Sequence, residues 1–311
     1  MSRAKFRPLK APNDTPESPE DIARLIWPMY YSDKIDGIRL TNYDGCTSAQ
    51  NKPFPSRYVH DVFGVPALNG VDGEAGYGAP NSPTIFSDTY SALMTHGCVT
   101  PVNWYVFDIC GPVHGHRPYR DRIKALRDVV ASYAANTTNP GNIIVVEQKL
   151  VHSWEEALEQ EAISLSLRYE GGMLRSPIQP YKYGRSTLIQ NYLIKLKRFE
   201  TREAVIIGFF EKEHNDNEAT LDERGYTKRS SHKENKRAAG TLGGFIVRDL
   251  ETGVEFRLGS GIGLDDDLRQ KVWNNQEDYM GLIVSYKKLK LGEKDKPRNC
   301  TFRGFRDPID L

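Results

Sequence analysis

The pattern of helices and strands changes near residues 199–201, and this change constrains the possible fold more than any other feature. Before it, strand-like runs such as 102–109 alternate with amphipathic helical runs such as 119–133. After it, four short strand patterns, at 203–211, 241–249, 254–258 and 281–289, are interrupted by one helical pattern at 264–274. We therefore predict an α+β domain over residues 1–199 and a small β-barrel domain over residues 200–311.

Length, charge and cysteine content narrow the class of protein. A chain of 311 residues is long enough for about two domains. Its 42 basic and 41 acidic residues nearly cancel, so any surface that attracts nucleic acid must be local. The four cysteines form no Cys-x-x-Cys pair, which argues against a zinc site or a disulfide framework and favours a reducing compartment. No apolar run has the length of a membrane span or of a signal peptide, so we expect a cytoplasmic protein with no membrane partner.

A candidate reactive lysine lies between two strand patterns near the start of the chain. Residues 34–39 are Lys-Ile-Asp-Gly-Ile-Arg, with one strand pattern before them at 29–33 and another after them at 40–43. Flanking strands hold a side chain rigidly, as a reactive group requires. Lys34 becomes a nucleophile when burial or neighbouring cations disfavour its ammonium form, and Asp36 and Arg39 bracket it with opposite charges. Taken alone, the motif is equally compatible with a solvated turn.

Four further motifs follow this lysine at wide intervals. Asp72-Gly-Glu74 places two carboxylates on one face of a strand. Residues 105–108 are Tyr-Val-Phe-Asp, and residues 170–173 are Glu-Gly-Gly-Met. Lys195 and Lys197 share a strand face, a pattern that on its own is typical of lysines in water. Five motifs in a fixed order over about 165 residues are far more specific than any one of them.

The order and spacing of these motifs resemble those of the covalent nucleotidyltransferases, and most closely those of the small ATP-dependent DNA ligases of bacteriophages. The resemblance runs from about residue 28 to the C-terminus. Residues 296–307 resemble the end of the ligase barrel domain, with Asn299 and Cys300 where Phe-Pro is usual. The resemblance implies an α+β nucleotidyltransferase domain of two antiparallel sheets with flanking helices, followed by an OB-fold β-barrel domain.

The family's reaction assigns the central role to the lysine of the first motif. The resemblance implies that Lys34 attacks the α-phosphate of ATP and carries AMP as lysyl-AMP. Lys195 and Lys197 would hold the α-phosphate, and their charge would lower the pKa of Lys34. AMP then passes to the 5′-phosphate at a nick in duplex DNA, and the 3′-hydroxyl displaces AMP and seals the nick. Such an enzyme serves DNA replication, repair and recombination.

The remaining motif residues receive nucleotide and metal roles from the same resemblance. Phe107 would stack on adenine, and Arg39 would contact a phosphate or the sugar. Glu74 and Glu170 would meet the ribose and bind Mg²⁺ or Mn²⁺, since these ions prefer oxygen ligands. The implied catalytic residues are Lys34, Asp36, Lys195 and Lys197.

The implied partner is nicked duplex DNA, bound by a monomer. Residues 213–239 form a polar insert between the first two strands of the second domain, and six residues from Arg224 to Arg237 are Lys or Arg. This basic insert could contact DNA phosphates, and the alternative is a solvated, mobile loop. The candidate DNA-binding residues are Lys52, Arg57, Lys228, Arg229, Lys233, Lys236, Arg298 and Arg306.

Two positions depart from the family's usual pattern. Ala49 stands where relatives carry an arginine that helps hold the 5′-phosphate of the nick. Either Lys52 or Arg57 substitutes for it, or nick binding is weaker. The fourth motif ends in Arg175 where lysine is common, which keeps the charge.

Three other functions remain open. An mRNA capping guanylyltransferase shares Lys-x-Asp-Gly-x-Arg and would use GTP, and an RNA ligase would join RNA strands without a DNA template strand. Outside the enzymes, the chain could be a nucleic-acid-binding barrel protein with a degenerate transferase domain. The presence of Lys34, Glu170, Lys195 and Lys197 argues against this last alternative. For a phage protein, the expected location is the cytoplasm of the host cell.

Overall fold

The chain divides into two compact units, residues 1–197 and residues 198–311. A computed structural model describes residues 6–197, 199–216, 219–221, 227–229, 236–261, 263–289, 296–297 and 299–306. Within these ranges, no helix is both long and apolar enough to cross a membrane.

The described part of the first unit, residues 6–197, contains two sheets and four α-helices. Its helices are α1 (Pro19–Ala23), α2 (Ile85–Met94), α3 (Tyr119–Ala135) and α4 (Trp154–Ser166). Its strands are β1 (Met29–Asp33), β2 (Ile38–Asn42), β3 (Cys46–Thr47), β4 (Val71–Gly76), β5 (Asn103–Ile109), β6 (Asn142–Val145), β7 (Lys149–Val151), β8 (Gly171–Arg175) and β9 (Leu193–Lys197). The five-stranded sheet has the order β3-β2-β4-β5-β6, and the four-stranded sheet has the order β7-β1-β8-β9.

The expectation of two purely antiparallel sheets is correct for one sheet and wrong for the other. Every ladder of the four-stranded sheet is antiparallel. In the five-stranded sheet β5 and β6 are parallel. The physical reason is the connection between them, because α3 carries the chain back so that β6 enters in the same direction as β5.

The core of the first unit forms where α3 packs against the five-stranded sheet. Ile123 and Leu126 on α3 are buried together with Leu40 and Trp104 on the sheet. Burying one such aliphatic side chain contributes about 1.5–3 kcal/mol. The indole nitrogen of Trp104 remains satisfied, because it donates to the carbonyl of Leu40 at 3.1 Å. This core fixes the five-stranded sheet, which carries part of the site.

The second unit is dominated by one antiparallel sheet. Its strands are β10 (Phe199–Asn215), β11 (Ala219–Leu221), β12 (Thr227–Arg229), β13 (Lys236–Asp249), β14 (Glu255–Leu258), β15 (Ile283–Leu289) and β16 (Thr301–Arg306). Its helices are α5 (Asp266–Asn274) and α6 (Gln276–Tyr279). Strands in the order β14-β13-β10-β15-β16 form the sheet, and β11 pairs with β12 separately.

The first two long strands of this unit extend into the predicted polar insert. Strands β10 and β13 remain paired as far as Glu213 opposite Ala238 and Asn215 opposite Lys236. The described part of the insert is therefore hydrogen-bonded strand rather than irregular loop. Backbone pairing needs no apolar alternation, so the sequence pattern gave no sign of these extensions.

Candidate active site

A cavity of about 260 Å³ in the first unit is lined by residues from both sheets. Six basic and two acidic side chains line it, so basic residues outnumber acidic ones by four. The basic residues are Lys10, Lys34, Arg39, Arg175, Arg185 and Lys195, and the acidic residues are Asp33 and Glu74. This charge distribution suits a polyanionic ligand.

Lys34 lies immediately after β1, and the backbone around it is fixed by the start of β8. Its amide donates to the carbonyl of Gly171 at 2.9 Å, and its carbonyl accepts from the amide of Glu170 at 3.1 Å. Gly171 has a φ of 140°, and a Cβ there would overlap the carbonyl oxygen of Leu196 on β9. A glycine is required here because the two backbones approach so closely.

The Glu170 carboxylate bridges two of the predicted catalytic lysines. Its Oε2 accepts from Lys34 Nζ, and its Oε1 pairs with Lys197 Nζ. Lys34 lines the cavity. Glu170 and Lys197 are not among the lining residues, and they are connected to Lys34 by these two ion pairs. The negative charge of Asp36 also helps to raise the pKa of Lys34.

The ion pair with Glu170 changes the pKa of Lys34 in the direction opposite to the expected one. Burial is the largest single cause and lowers the pKa of Lys34, but the negative charges of Glu170, Glu74 and Asp36 together outweigh it, and the pKa is raised above its ordinary value. The expected lowering by Lys195 and Lys197 is wrong in this structure because the carboxylate is the nearest charge. Lys34 is therefore held as an ammonium group, and it must leave Glu170 before it can act as a nucleophile.

Lys195 is the lysine whose pKa is lowered. Burial is the largest cause, followed by the positive charges of Lys197, Lys34 and Arg185. Its ammonium group donates to the carbonyl of Asn13 at 2.5 Å. A half-buried cation among other cations is stabilised by an incoming anion, so Lys195 is well placed to hold a phosphate.

The two predicted metal-binding carboxylates differ in protonation. Burial raises the pKa of Glu74 to about 7, against the opposing charges of Arg39 and Lys34. Burial also raises the pKa of Glu170, but Lys34 and Lys197 outweigh it, and the pKa is lowered. The described residues contain no cluster of three metal-ligating side chains. Two carboxylates together with substrate phosphates are still a donor set that suits Mg²⁺.

Arg39 is engaged mainly by the protein itself. Its Nε and Nη2 donate to the two oxygens of Asp72, both at 2.6 Å, and Nη2 also donates to the carbonyl of Leu9 at 3.1 Å. The guanidinium lies 4.7 Å from the centre of the Phe107 ring. Arg39 is thus held by Asp72 and Leu9 while it contacts the ring that was expected to stack on adenine.

A second buried network supports the same ring. Asp108 accepts from Arg122 Nε at 2.8 Å and also pairs with Arg175. The Arg175 guanidinium lies 5.4 Å from the centre of the Phe107 ring. Asp108, which the sequence grouped only as part of a motif, therefore anchors a cavity-lining arginine.

Sequence reasoning missed the contribution of the N-terminal segment, residues 6–13. Lys10, Ala11 and Pro12 line the cavity. Phe6 is buried and stacks on Tyr43 with 4.2 Å between ring centres. The segment has no motif, and much of its contact is made by backbone groups, so no sequence signal could have placed it there.

None of the predicted DNA-binding residues is among those that line the cavity, and two of them fall outside the described residues. Lys52 and Arg57 are exposed, and Arg57 pairs with Asp61 at 3.0 Å. Lys236 pairs with Glu213 at 3.3 Å. Arg306 pairs with Glu203 at 3.2 Å. Lys228 and Arg229 belong to β12. Lys233 and Arg298 fall outside the described residues.

Comparisons with known proteins point to one family. A family model for the DNA ligase OB-like domain matches residues 235–306. A Chlorella virus DNA ligase-adenylate structure is 29% identical with a TM-score of 0.53, over 96% of this chain and 99% of that one. A second structure of Chlorella virus DNA ligase-adenylate is also 29% identical, with a TM-score of 0.54, over 97% of this chain and 99% of that one.

A third comparison supports the fold alone. A structure from work on Lig E DNA ligases is 23% identical with a TM-score of 0.64, over 89% of this chain and 92% of that one. A comparison with curated proteins gave no significant match. Together, the family model and the Chlorella virus structures confirm the resemblance to ATP-dependent DNA ligases.

Proposed function

We propose that the protein is an ATP-dependent DNA ligase that seals nicks in duplex DNA through a lysyl-AMP intermediate. The observation that carries this proposal is the position of Lys34 in a cavity lined by six basic and two acidic residues. The similarity to DNA ligase-adenylate structures over nearly the whole chain supports it. DNA replication and repair are the processes such an enzyme serves.

The first step joins AMP to Lys34. Lys34 Nζ, once released from Glu170 and deprotonated, attacks the α-phosphorus of ATP. A bond forms between nitrogen and phosphorus, the bond from the α-phosphorus to its bridging oxygen breaks, and pyrophosphate leaves. Lys195, which is half-buried among other cations, stabilises the added negative charge on the α-phosphate.

Binding of ATP can itself release the nucleophile. The triphosphate brings negative charge into the cavity that Lys34 and Lys195 line, and there it competes with Glu170 for Lys34. Glu74 and Glu170 are the residues that would hold Mg²⁺ (or Mn²⁺), and a bound divalent ion would neutralise charge on the phosphates. Pairing of Glu170 with such an ion would weaken its hold on Lys34.

The two units would divide the work. The first would carry out adenylation, and the second, an OB-type barrel, would bind DNA. Parts of its basic insert belong to paired strands, β10 with β13 and β11 with β12, and the insert would contact DNA phosphates. We propose a monomer that acts on nicked duplex DNA in the cytoplasm.

Adduct formation is the direct test of the first step. The protein is incubated with Mg²⁺ and ATP labelled at the α-phosphorus, and acid-labile label on the protein is mapped by mass spectrometry. We expect the label on Lys34, none in Lys34→Ala, and normal labelling in Lys124→Ala, which removes an exposed lysine of α3. Label on another lysine would contradict the assignment.

Nucleotide and strand preference separate the alternatives. Phe107 offers a stacking face without a hydrogen-bonding group, so it cannot distinguish adenine from guanine. Labelling by GTP as efficient as by ATP would favour a capping guanylyltransferase. Joining of RNA strands without a DNA template would favour an RNA ligase. A protein that bound nicked DNA but formed no adduct would be a binding protein.

A further inference from the structure

The N-terminal segment, residues 6–13, holds three cavity-lining cations through its backbone. The carbonyl of Leu9 accepts from Arg39 at 3.1 Å, and the carbonyl of Ala11 accepts from Arg185 at 2.7 Å. The carbonyl of Asn13 accepts from Lys195 at 2.5 Å. These carbonyls belong to alternate residues, as expected for an extended chain that presents one edge.

The segment is itself fixed to the first unit along its length. The amide of Lys10 donates to the carbonyl of Gly184 at 3.0 Å, and the amide of Ser186 donates to the carbonyl of Lys10 at 2.8 Å. The amide of Leu9 donates to the hydroxyl of Tyr181 at 3.0 Å. The backbone of Lys10 is therefore held on both sides, so its side chain is placed in the cavity by a rigid support.

Lys10 belongs to the cationic end of the cavity. Its backbone forms an isolated parallel β-bridge with that of Arg185, and the charge of Arg185 contributes to lowering the pKa of Lys195. Lys10, Arg185 and Lys195 thus share one part of the lining. Several cations gathered within a cavity are electrostatically unfavourable unless an anion joins them.

We propose that Lys10 is a binding residue for the triphosphate of the nucleotide, presented by the N-terminal segment. This inference rests on the proposed function, because it takes the ligand of the cavity to be ATP. The ammonium group would contact phosphate oxygens that adenosine lacks. Arg7 provides a matched control, since it is a basic residue of the same segment that is exposed and does not line the cavity.

Calorimetric titration can measure this contribution without turnover. The probe is an ATP analogue with a methylene group between the α- and β-phosphorus, which cannot release pyrophosphate, in the presence of Mg²⁺. We expect Lys10→Gln to bind it about tenfold more weakly, and Lys10→Arg to recover most of the loss. Adenosine should bind equally to all three proteins, and Arg7→Gln should bind the analogue like the unmodified protein.

Each contrary outcome has a definite meaning. Unchanged analogue binding in Lys10→Gln would overturn the proposal. If Lys10→Gln weakens the binding of adenosine as much as that of the analogue, Lys10 only supports the fold of the pocket. If Arg7→Gln weakens binding of the analogue as much as Lys10→Gln does, the effect is one of general charge. If the unmodified protein binds the analogue but forms no lysyl-AMP with ATP, the proposed function fails while the result for Lys10 stands. If it does not bind the analogue, both fail.

Discussion

Replacing Asp108 with asparagine should be among the most damaging single changes in the first unit. The carboxylate is fully buried, and it accepts from Arg122 Nε at 2.8 Å, from Arg122 Nη2 at 3.1 Å and from Arg175. Asparagine has the same shape but carries no charge and one fewer acceptor oxygen. The side chains of Arg122 and Arg175, only 1% and 7% exposed, would lose their counter-charge.

The magnitude follows from this burial. Removing one partner of a buried ion pair costs about 3–5 kcal/mol because the remaining charge is left uncompensated. For a unit of this size, each kcal/mol lowers the melting temperature by roughly 2–4 °C, so we expect a loss of about 6–20 °C. The exposed pair of Arg57 and Asp61 is the matched control, with side chains 71% and 57% exposed. Asp61→Asn should cost only about 0.3–0.5 kcal/mol.

Differential scanning calorimetry is the suitable assay because the two units can unfold separately. The unfolding transition of the first unit is the one whose melting temperature falls in Leu68→Ala, because Leu68 is a fully buried residue of that unit's core. The double variant Asp108→Asn, Arg122→Met removes one of the two uncompensated charges and should recover part of the loss. A loss below about 1 kcal/mol in Asp108→Asn would refute the reasoning, since the arginines would then have found other partners.

Three further predictions concern pH and salt. Burial raises the pKa of Glu74 from 4.5 to about 7, so its contribution to stability is present below pH 4.5 and lost as the pH rises through 7. In urea unfolding, the free energy of unfolding of Glu74→Gln should rise relative to that of the unmodified protein by up to about 3 kcal/mol between pH 5 and pH 8. A difference that does not change with pH would refute this. Because Glu170 keeps the pKa of Lys34 high, lysyl-AMP formation should accelerate by up to about tenfold per pH unit between about pH 6 and pH 9, and a flat rate profile would show that deprotonation is not limiting. Alanine at four positions of the insert should weaken nick binding and reduce the salt slope of log K by about 0.9 per lost phosphate contact, without affecting adenylation, and an unchanged slope would exclude those contacts. The four positions are Lys228, Arg229, Lys233 and Lys236.

The sequence was informative where strands position side chains. The lysine motif lies next to a strand, and the alternation of β4, β5 and β9 brings Glu74, Phe107 and Lys195 to the lining of one cavity with Lys34. Strand geometry makes such placement regular, so the order of motifs was enough to expect a shared site. The roles given to these residues remain proposals.

The sequence did not predict contacts between residues that are far apart along the chain. Glu170 lies 136 positions from Lys34, and only the fold reveals that its carboxylate reaches the lysine and reverses the expected pKa shift. The N-terminal segment acts through the carbonyls of Leu9 and Asn13, which any residue type would supply. The parallel pairing of β6 is likewise a matter of chain path rather than composition.

The glycine of the first motif has a consequence for how this gene could diverge. A Cβ at Gly37 would overlap the carbonyl oxygen of Ala75 on β4, so the glycine is required by the approach of two backbones rather than by the reaction. Lys34 has no such packing constraint, because its side chain faces the cavity. After a gene duplication, a copy released from catalysis could lose Lys34 while selection for folding preserved Gly37. A surviving glycine in such a motif is therefore a record of ancestry, and the lysine is the position that reports retained chemistry.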